Sequence, residues 1–143
     1  MNVELTTKQK GNITEVETML AFMKLGYTIL TPYGDCDRYD FLVEVNGKFL
    51  RMQSKTSSTD NNGDSIKFSC RSCTRKNGQI IHHQYSNDEI DYFVTSWEGK
   101  VYIVPVSECG SEKTLRLAPC APCNYNNVNW AKNYELEEVV KKW

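Results

Sequence analysis

Alternating polar and apolar positions predict a β-hairpin in the first half of the chain. Residues 39–45 and 48–56 both alternate and are rich in β-branched and aromatic side chains, and Asn46-Gly47 between them is a strong signal for a two-residue hairpin loop. The loop fixes the register of the two strands. Counting back from it gives the expected partners, which are Val45 with Lys48, Val43 with Leu50, Phe41 with Met52, and Asp40 with Gln53.

This register divides the hairpin into an apolar face and a polar face. The apolar face is expected to enter the core and consists of Phe41, Val43, Val45, Leu50 and Met52. Asp40, Gln53 and Lys55 share the other face, because side chains on a strand repeat every second residue. Exposed hairpins often carry such residues without any chemistry, so a solvated surface is the competing interpretation of the polar face.

An amphipathic helix is predicted before the hairpin. Asn12 is expected to cap it and Gly26 to end it. Its apolar residues repeat at helical spacing and are Ile13, Val16, Leu20 and Met23. The first turn of this predicted helix carries Glu15, which is either one half of a capping box with Asn12 or a functional carboxylate.

Further strands and a final helix complete the prediction. Residues 65–70 alternate as a third strand, and 91–97 with 100–106 form a second hairpin around Glu98-Gly99. The polar segment 76–87 is expected to be a loop in which His82, His83 and Tyr85 either contact DNA or lie in solvent. Asn133 is expected to cap a short C-terminal helix. These elements indicate an α/β (α+β) fold with a mixed central sheet flanked by helices.

Length and composition are those of one soluble domain. The 143 residues include 40% hydrophobic residues and no long apolar stretch or signal sequence, so we expect a single cytoplasmic domain over 1–143 with no membrane partner. A net charge of −1 argues mildly against a nucleic-acid ligand. The charge distribution argues the other way, because basic residues that can bind phosphate follow the hairpin: Lys67, Arg71, Arg75 and Lys76.

The six cysteines include two pairs with the spacing of metal-binding knuckles. Cys70 and Cys73 form one pair, and Cys120 and Cys123 form the other. Two such pairs commonly assemble a tetrahedral zinc site, although their separation here is much longer than in a zinc ribbon. A structural Zn²⁺ and free thiols are therefore both open interpretations, and disulfides are disfavoured in a reducing cytoplasm.

Several stretches of the chain resemble one nuclease family. They are Gly11-Asn-Ile-Thr-Glu15, Gly26-Tyr-Thr-Ile-Leu-Thr-Pro-Tyr-Gly34, Arg38-Tyr-Asp40, Arg51-Met-Gln-Ser-Lys55, Ile90-Asp-Tyr-Phe-Val94 and Val101-Tyr-Ile-Val-Pro105. In this order they resemble the PD-(D/E)XK nuclease superfamily, and in particular its small single-domain branch with the intron-encoded homing endonuclease of cyanobacterial type. The resemblance covers most of the chain and implies a restriction-endonuclease-like core.

The resemblance also implies roles for individual residues. Asp40 takes the place of the metal-binding aspartate, Lys55 that of the catalytic lysine, and Glu15 that of the glutamate on the first helix. Two positions depart from the motif, since Tyr39 replaces its proline and Gln53 replaces its second acid. An amide oxygen can still bind Mg²⁺ but brings one negative charge less, and glutamine fills this position in the homing-endonuclease branch itself.

These residue types suit the hydrolysis of a phosphodiester bond. Mg²⁺ or Mn²⁺ held by carboxylates and carbonyl oxygens would lower the pKa of the attacking water and stabilise charge on the phosphate. We expect the ligands of the ion to be Asp40, Gln53, Glu15 and the Ser54 carbonyl. Lys55 is expected to orient or deprotonate the water.

Three function classes follow. The first is a metal-dependent DNA endonuclease of the homing-endonuclease kind, which the resemblance implies to act on double-stranded DNA as a homodimer or homotetramer. The second is a structure-specific nuclease for branched DNA, like the Holliday junction resolvases, which share the core. The third, motivated by Gln53, is a non-catalytic DNA-binding module on the same fold.

Overall fold

The computed structural model describes residues 3–119 and 126–143. Within them the helices are α1 (Thr7–Lys24) and α2 (Leu136–Val140), with 3₁₀ turns at Val106–Glu108 and Ala131–Tyr134. The strands are β1 (Thr28–Leu30), β2 (Phe41–Val45), β3 (Lys48–Ser54), β4 (Ser58–Thr59), β5 (Ser65–Ser69), β6 (Arg71–Lys76), β7 (Gln79–Gln84), β8 (Tyr92–Trp97), β9 (Lys100–Pro105) and β10 (Glu112–Arg116). In these two ranges, no helix is both long and apolar enough to cross a membrane.

A mixed central sheet has the strand order β1-β2-β3-β8-β9. Strands β3 and β8 run parallel, and the other neighbours run antiparallel. Helices cover one face, where Phe22 of α1 and Leu136 of α2 belong to one buried cluster with β2 and β3. On the other face, Phe93 of β8 packs with Ile66 and Leu115 of a smaller sheet, β10-β5-β4. The predicted mixed sheet with flanking helices is confirmed.

Both predicted hairpins are confirmed, the first with its register. Val45 pairs with Lys48, and the ladder continues through Val43 with Leu50 and Phe41 with Met52. The loop residues Asn46 and Gly47 have φ of 51° and 77°, as a two-residue loop of the primed type requires. Strands β8 and β9 form the second hairpin. Because the apolar face of the first hairpin is buried, its register is strongly determined.

Helix α1 begins earlier than predicted. Thr6, and not Asn12, is its N-cap: the Thr6 hydroxyl accepts the Gln9 N–H at 3.2 Å, and the Gln9 side chain accepts the Thr6 N–H at 2.9 Å. This capping box provides acceptors for two backbone N–H groups that have no hydrogen-bond partner within the helix. Asn12 therefore lies inside the helix, and Glu15 lies in its third turn. Gly26, with φ of 88°, follows the helix end as predicted.

The apolar stripe of α1 faces solvent. The residues that α1 buries are Thr14, Thr18 and Phe22. The two buried hydroxyls donate to backbone carbonyls one turn back, so they are not left without partners. The apolar stripe itself is exposed, with exposed fractions of 42% for Ile13, 58% for Val16, 46% for Leu20 and 58% for Met23.

One predicted loop and one predicted helix cap are wrong. The segment 76–87, predicted as a loop, contains strand β7, which pairs with β6 as an antiparallel ribbon around Asn77-Gly78. The ribbon is polar and exposed, so no hydrophobic pattern marked it. Asn133 does not cap α2, because it lies in the preceding 3₁₀ turn, and Glu135 occupies the N-cap position without a side-chain hydrogen bond.

Candidate active site

The start of β2 and the end of β3 bring Asp40 and Gln53 together. Beyond the last ladder pair, Asp40 donates its backbone N–H to the Met52 carbonyl at 2.8 Å. Its Oδ2 atom accepts hydrogen bonds from Gln53 Nε2 at 3.0 Å and from the Ser54 N–H at 2.7 Å. The structure therefore places Asp40 and Gln53 side by side, as the register predicted.

Lys55 directly follows β3, and both its backbone and its side chain are held in place. Its N–H donates to the Val94 carbonyl of β8 at 2.9 Å. Its Nζ donates to the Arg71 carbonyl at 2.9 Å and lies 5.1 Å from the ring centroid of Tyr85. Burial lowers the pKa of Lys55 below its ordinary value, and the Asp40 carboxylate partly opposes that shift.

Glu15 approaches this group from α1. Burial raises the pKa of Glu15, and the negative charge of Asp40 raises it further. Burial also raises the pKa of Asp40, while the Ser54 N–H, the Lys55 charge and the Gln53 amide act to lower it. Two partly buried carboxylates thus repel each other at the end of the β2–β3 hairpin.

The oxygen atoms at this site suit a hard divalent cation. Glu15 and Asp40 supply carboxylates, which Mg²⁺ prefers, and a positive charge between them would relieve their repulsion. Gln53 directs its Nε2 toward Asp40 and, at 3.3 Å, toward the Ser54 carbonyl, so its amide must make a half turn to offer oxygen. Across residues 3–119 and 126–143, no metal-binding group of three or more His, Cys, Asp or Glu occurs. A cation here would therefore depend on two acids and neutral oxygens.

Arg38 and Tyr85 border the site, a position that the sequence analysis predicted for neither residue. The Arg38 Cζ atom lies 4.1 Å from the Tyr85 ring centroid, and its Nη1 donates to Ser72 Oγ at 2.7 Å. Its Nε forms an ion pair with Glu89 at 3.1 Å. The closeness of Arg38 to Asp40 in sequence was a usable signal. Tyr85 lies near the site because ribbon β6–β7 folds back toward it, and no hydrophobic pattern in the sequence predicted this ribbon.

The four basic residues predicted to bind phosphate lie on two sheets. Arg71 is half-buried at the start of β6, and Arg75 and Lys76 are exposed at its far end. Lys67 is exposed on β5, which belongs to the three-stranded sheet. The structure therefore groups three of these residues on one ribbon and places the fourth elsewhere.

The predicted zinc cysteines fall partly outside the described residues. Cys70 is buried in the core, whereas Cys73 is exposed on β6 with its Sγ 3.1 Å from His82 Nδ1. Cys120 and Cys123 lie outside the residues that the structure describes. The zinc site therefore stays a prediction.

Comparisons with known proteins give a family model and a structural relative. A family model described as PD-(D/E)XK endonuclease matches residues 5–137. The solved structure of a bacterial homing endonuclease, I-Ssp6803I, is similar at 24% sequence identity, covers 96% of this chain and 95% of its own, and has a TM-score of 0.76. No curated protein matches the chain. At this identity the structural likeness shows the fold, and it confirms the restriction-endonuclease-like core.

Proposed function

Because the chain belongs to the PD-(D/E)XK endonuclease family, we propose that it hydrolyses phosphodiester bonds of DNA with the help of a divalent cation. The proposed site consists of Glu15, Asp40, Gln53 and Lys55. The observation that carries the proposal is the partly buried Lys55 ammonium beside the Asp40 carboxylate at the end of β3. Ionisable groups with shifted pKa values that cluster in this way are typical of functional sites.

The proposed cation ligands come from α1 and the first hairpin. Mg²⁺ or Mn²⁺, when bound, would lower the pKa of a water molecule and stabilise charge on the phosphate. Asp40 and Glu15 would hold the ion together with the Ser54 carbonyl and, after a half turn of its amide, Gln53. The Ser54 N–H fixes the orientation of the Asp40 carboxylate, which preorganises this ligand.

Lys55 would act on the attacking water. Burial lowers the pKa of Lys55, which brings its neutral, proton-accepting form closer to neutral pH. The Arg71 carbonyl accepts one hydrogen bond from the Lys55 ammonium, and the remaining N–H groups of Lys55 can orient the water or a phosphate oxygen. In its charged form the same group would stabilise the pentacovalent phosphorus.

The proposed substrate is duplex DNA with a long recognition site. The support is the structural likeness to a homing endonuclease. A nuclease of the resolvase kind would cut four-way junctions of any sequence, and a binding module would cut neither substrate. The choice of substrate therefore separates these alternatives.

We also propose that the chain self-associates as a homodimer or homotetramer. A duplex has two scissile strands, whereas the proposed residues form one site per chain. The exposed apolar stripe of α1, formed by Ile13, Val16, Leu20 and Met23, offers an apolar surface to a second copy.

The experiment that tests this function is the cleavage of three substrates: supercoiled plasmid, linear genomic DNA and a synthetic four-way junction, each with Mg²⁺ or Mn²⁺. Lys55→Ala is expected to abolish all cleavage. Lys48→Ala, at an exposed position at the other end of β3, is the matched control and should cut like the wild type. Equal cleavage by Lys55→Ala and the wild type would end the proposal. Cleavage of the junction alone would indicate a resolvase, and a wild type that binds DNA without cutting would indicate a binding module.

A further inference from the structure

Ribbon β6–β7 is exposed over nearly its whole length. Arg71–Lys76 pairs with Gln79–Gln84 around a tight turn at Asn77-Gly78. Every residue from 73 to 84 is exposed, including Ile80 at 56%. A two-stranded ribbon is at best marginally stable in water without a further layer. Its side chains are therefore available to a ligand and contribute little to the core.

The ribbon lies in a basic part of the chain. Four of the 17 Lys and Arg residues, and none of the 18 Asp and Glu residues, fall between 65 and 87. The net charge of the whole chain is −1, so the remainder is acidic. A polyanion is thus attracted to the segment that contains the ribbon and repelled by the rest of the chain.

The base of the ribbon is joined to the proposed active site. Lys55 Nζ donates to the Arg71 carbonyl at the start of β6. Arg38 donates to Ser72 Oγ on β6 and, at 3.2 Å, to the Gln84 carbonyl on β7. A phosphodiester held at Lys55 would therefore lie beside the base of the ribbon, where Arg71, Ser72 and Gln84 make these contacts.

We propose that ribbon β6–β7 enters the major groove tip-first and reads bases near the scissile phosphate with Arg75, Gln79 and Ile80. This inference rests on the proposed nuclease function. The major groove admits a two-stranded ribbon, and each base pair presents a distinct pattern there. A six-residue strand spans roughly 17 Å, and a base pair advances about 3.4 Å. With side-chain length included, the bases that are read lie within about seven base pairs of the cut.

The side chains near the tip match base edges. Arg75 suits the two acceptors of guanine, Gln79 suits the acceptor and donor of adenine, and Ile80 suits the thymine methyl group. Arg75 lies opposite Ile80, and Gln79 lies opposite Lys76, on the other face of the ribbon. A tip that enters the groove presents both faces. Lys76 and the half-buried Arg71 suit backbone phosphates, which position DNA without reading it.

A charge-conserving double variant, Arg75→Lys with Gln79→Ala, separates base reading from phosphate attraction. Lysine keeps the charge of arginine but lacks its rigid planar fork of donors, so it matches the two acceptors of guanine less well. The two substitutions remove one base-reading group from each face. Lys48→Arg with Asn61→Ala is the matched control, because both of its positions are exposed, lie outside the ribbon and conserve charge. Thermal unfolding of each full-length protein verifies that the fold is retained.

Each protein is tested on a library of random-sequence duplexes. With Mg²⁺, sequencing of the cut ends gives the base preference at each distance from the cut. With EDTA, which prevents cleavage, sequencing of the bound duplexes gives the base preference of binding alone. We expect the double variant to lose roughly tenfold to a hundredfold of base discrimination within about seven base pairs of the cut. Its dependence of affinity on salt should equal that of the wild type, because the charge is conserved. The control should keep the wild-type preference.

The outcomes separate this inference from the nuclease function. The role of the ribbon is overturned if the double variant cuts DNA with the wild-type base preference, or if the wild type cuts with no base preference. Either result leaves the nuclease function intact. Binding with a preference that the double variant loses, but without cutting, supports the ribbon and overturns the nuclease. A wild type that neither binds nor cuts overturns both.

Discussion

Gln53 Nε2 donates a 3.0 Å hydrogen bond to Asp40 Oδ2. Gln53, which we propose to occupy the position of the motif's second acid, therefore supplies a donor to Asp40, the proposed first acid. Burial raises the pKa of Asp40, and the bond from Gln53 is one of the interactions that oppose this rise. When no cation is bound, a glutamine at this position reduces the repulsion among the carboxylates. It also leaves the site with one negative charge fewer for binding a cation.

Gln53→Glu is expected to destabilise the protein without a divalent cation and to increase its stabilisation by Mg²⁺. The new carboxylate would lie beside Asp40, and their repulsion should cost about 1 kcal/mol, or roughly 4 °C in melting temperature. Thermal unfolding with and without Mg²⁺ measures both effects. Asn61→Asp adds the same charge at an exposed turn and serves as the control. A Mg²⁺-dependent shift smaller than that of the wild type would contradict a cation at Asp40.

The Asp91 carboxylate ties β3 to the start of β8. Its Oδ2 accepts the Arg51 backbone N–H at 2.7 Å and the Arg51 Nε–H at 3.1 Å. Burial acts to raise the pKa of Asp91, but the hydrogen bonds and charge of Arg51 hold the pKa below its ordinary value. Asp91→Asn should therefore lower the free energy of unfolding by about 1–2 kcal/mol at neutral pH.

This loss should depend on pH in one direction. A carboxyl group with a lowered pKa in the folded state stabilises the fold above its unfolded pKa of about 3.9, and the stabilisation disappears as the pH falls through the folded value. The free energies of unfolding of Asp91→Asn and the wild type should therefore converge as the pH falls below about 4. Urea titrations across this range measure the difference. A difference that does not change with pH would assign the effect to packing.

Arg38→Ala is expected to loosen ribbon β6–β7 at its base. The substitution removes the hydrogen bonds to Ser72 and Gln84 and the contact with Tyr85. Amide exchange over 71–84 should become roughly tenfold faster, while β2 and β3 keep their protection. Arg75→Ala is the control, because it makes the same substitution at the exposed end of the ribbon, and its amides should exchange at the wild-type rate. Unaltered protection in Arg38→Ala would show that other contacts hold the ribbon.

Val16→Glu with Met23→Glu is expected to convert the proposed oligomer to a monomer. Each side chain is 58% exposed in the isolated chain, so the fold should tolerate both charges. An interface on this stripe would bury the charges without partners. Light scattering after size exclusion measures the mass, with Asn61→Glu and Asn62→Glu as an exposed control pair. A monomeric wild type, or an unchanged oligomer in the variant, would refute this interface.

Local turn chemistry explains why the hairpin at the site was predictable. Asn46-Gly47 sets the register, and the register alone places Asp40 beside Gln53. The presence of Glu15 near them depends on how α1 packs on the sheet, which the resemblance implied and no local pattern reveals. A hairpin register is a local property, whereas the approach of a helix to a sheet is a tertiary one.

The errors have physical causes at particular residues. Asn12, with Glu15 three residues later, suggested a helix start at Asn12, but the Thr6–Gln9 capping box comes earlier and the helix runs through Asn12. Strand β7 was missed because it is exposed on both faces, so packing imposes no apolar alternation on it. The burial of Thr14 in place of the apolar stripe depends on the sheet below α1, which the helix sequence alone does not encode.

The role of Asp40 is tested most directly by the rate at which Asp40→Asn cleaves supercoiled plasmid in the presence of Mg²⁺. Asparagine keeps an oxygen that can accept the Ser54 N–H, so the substitution removes charge and preserves shape. Asp37→Asn, at an exposed position three residues earlier, is the matched control. We predict a loss of at least about 100-fold for Asp40→Asn and the wild-type rate for Asp37→Asn. Equal rates in the two variants would contradict a metal-dependent nuclease site at Asp40.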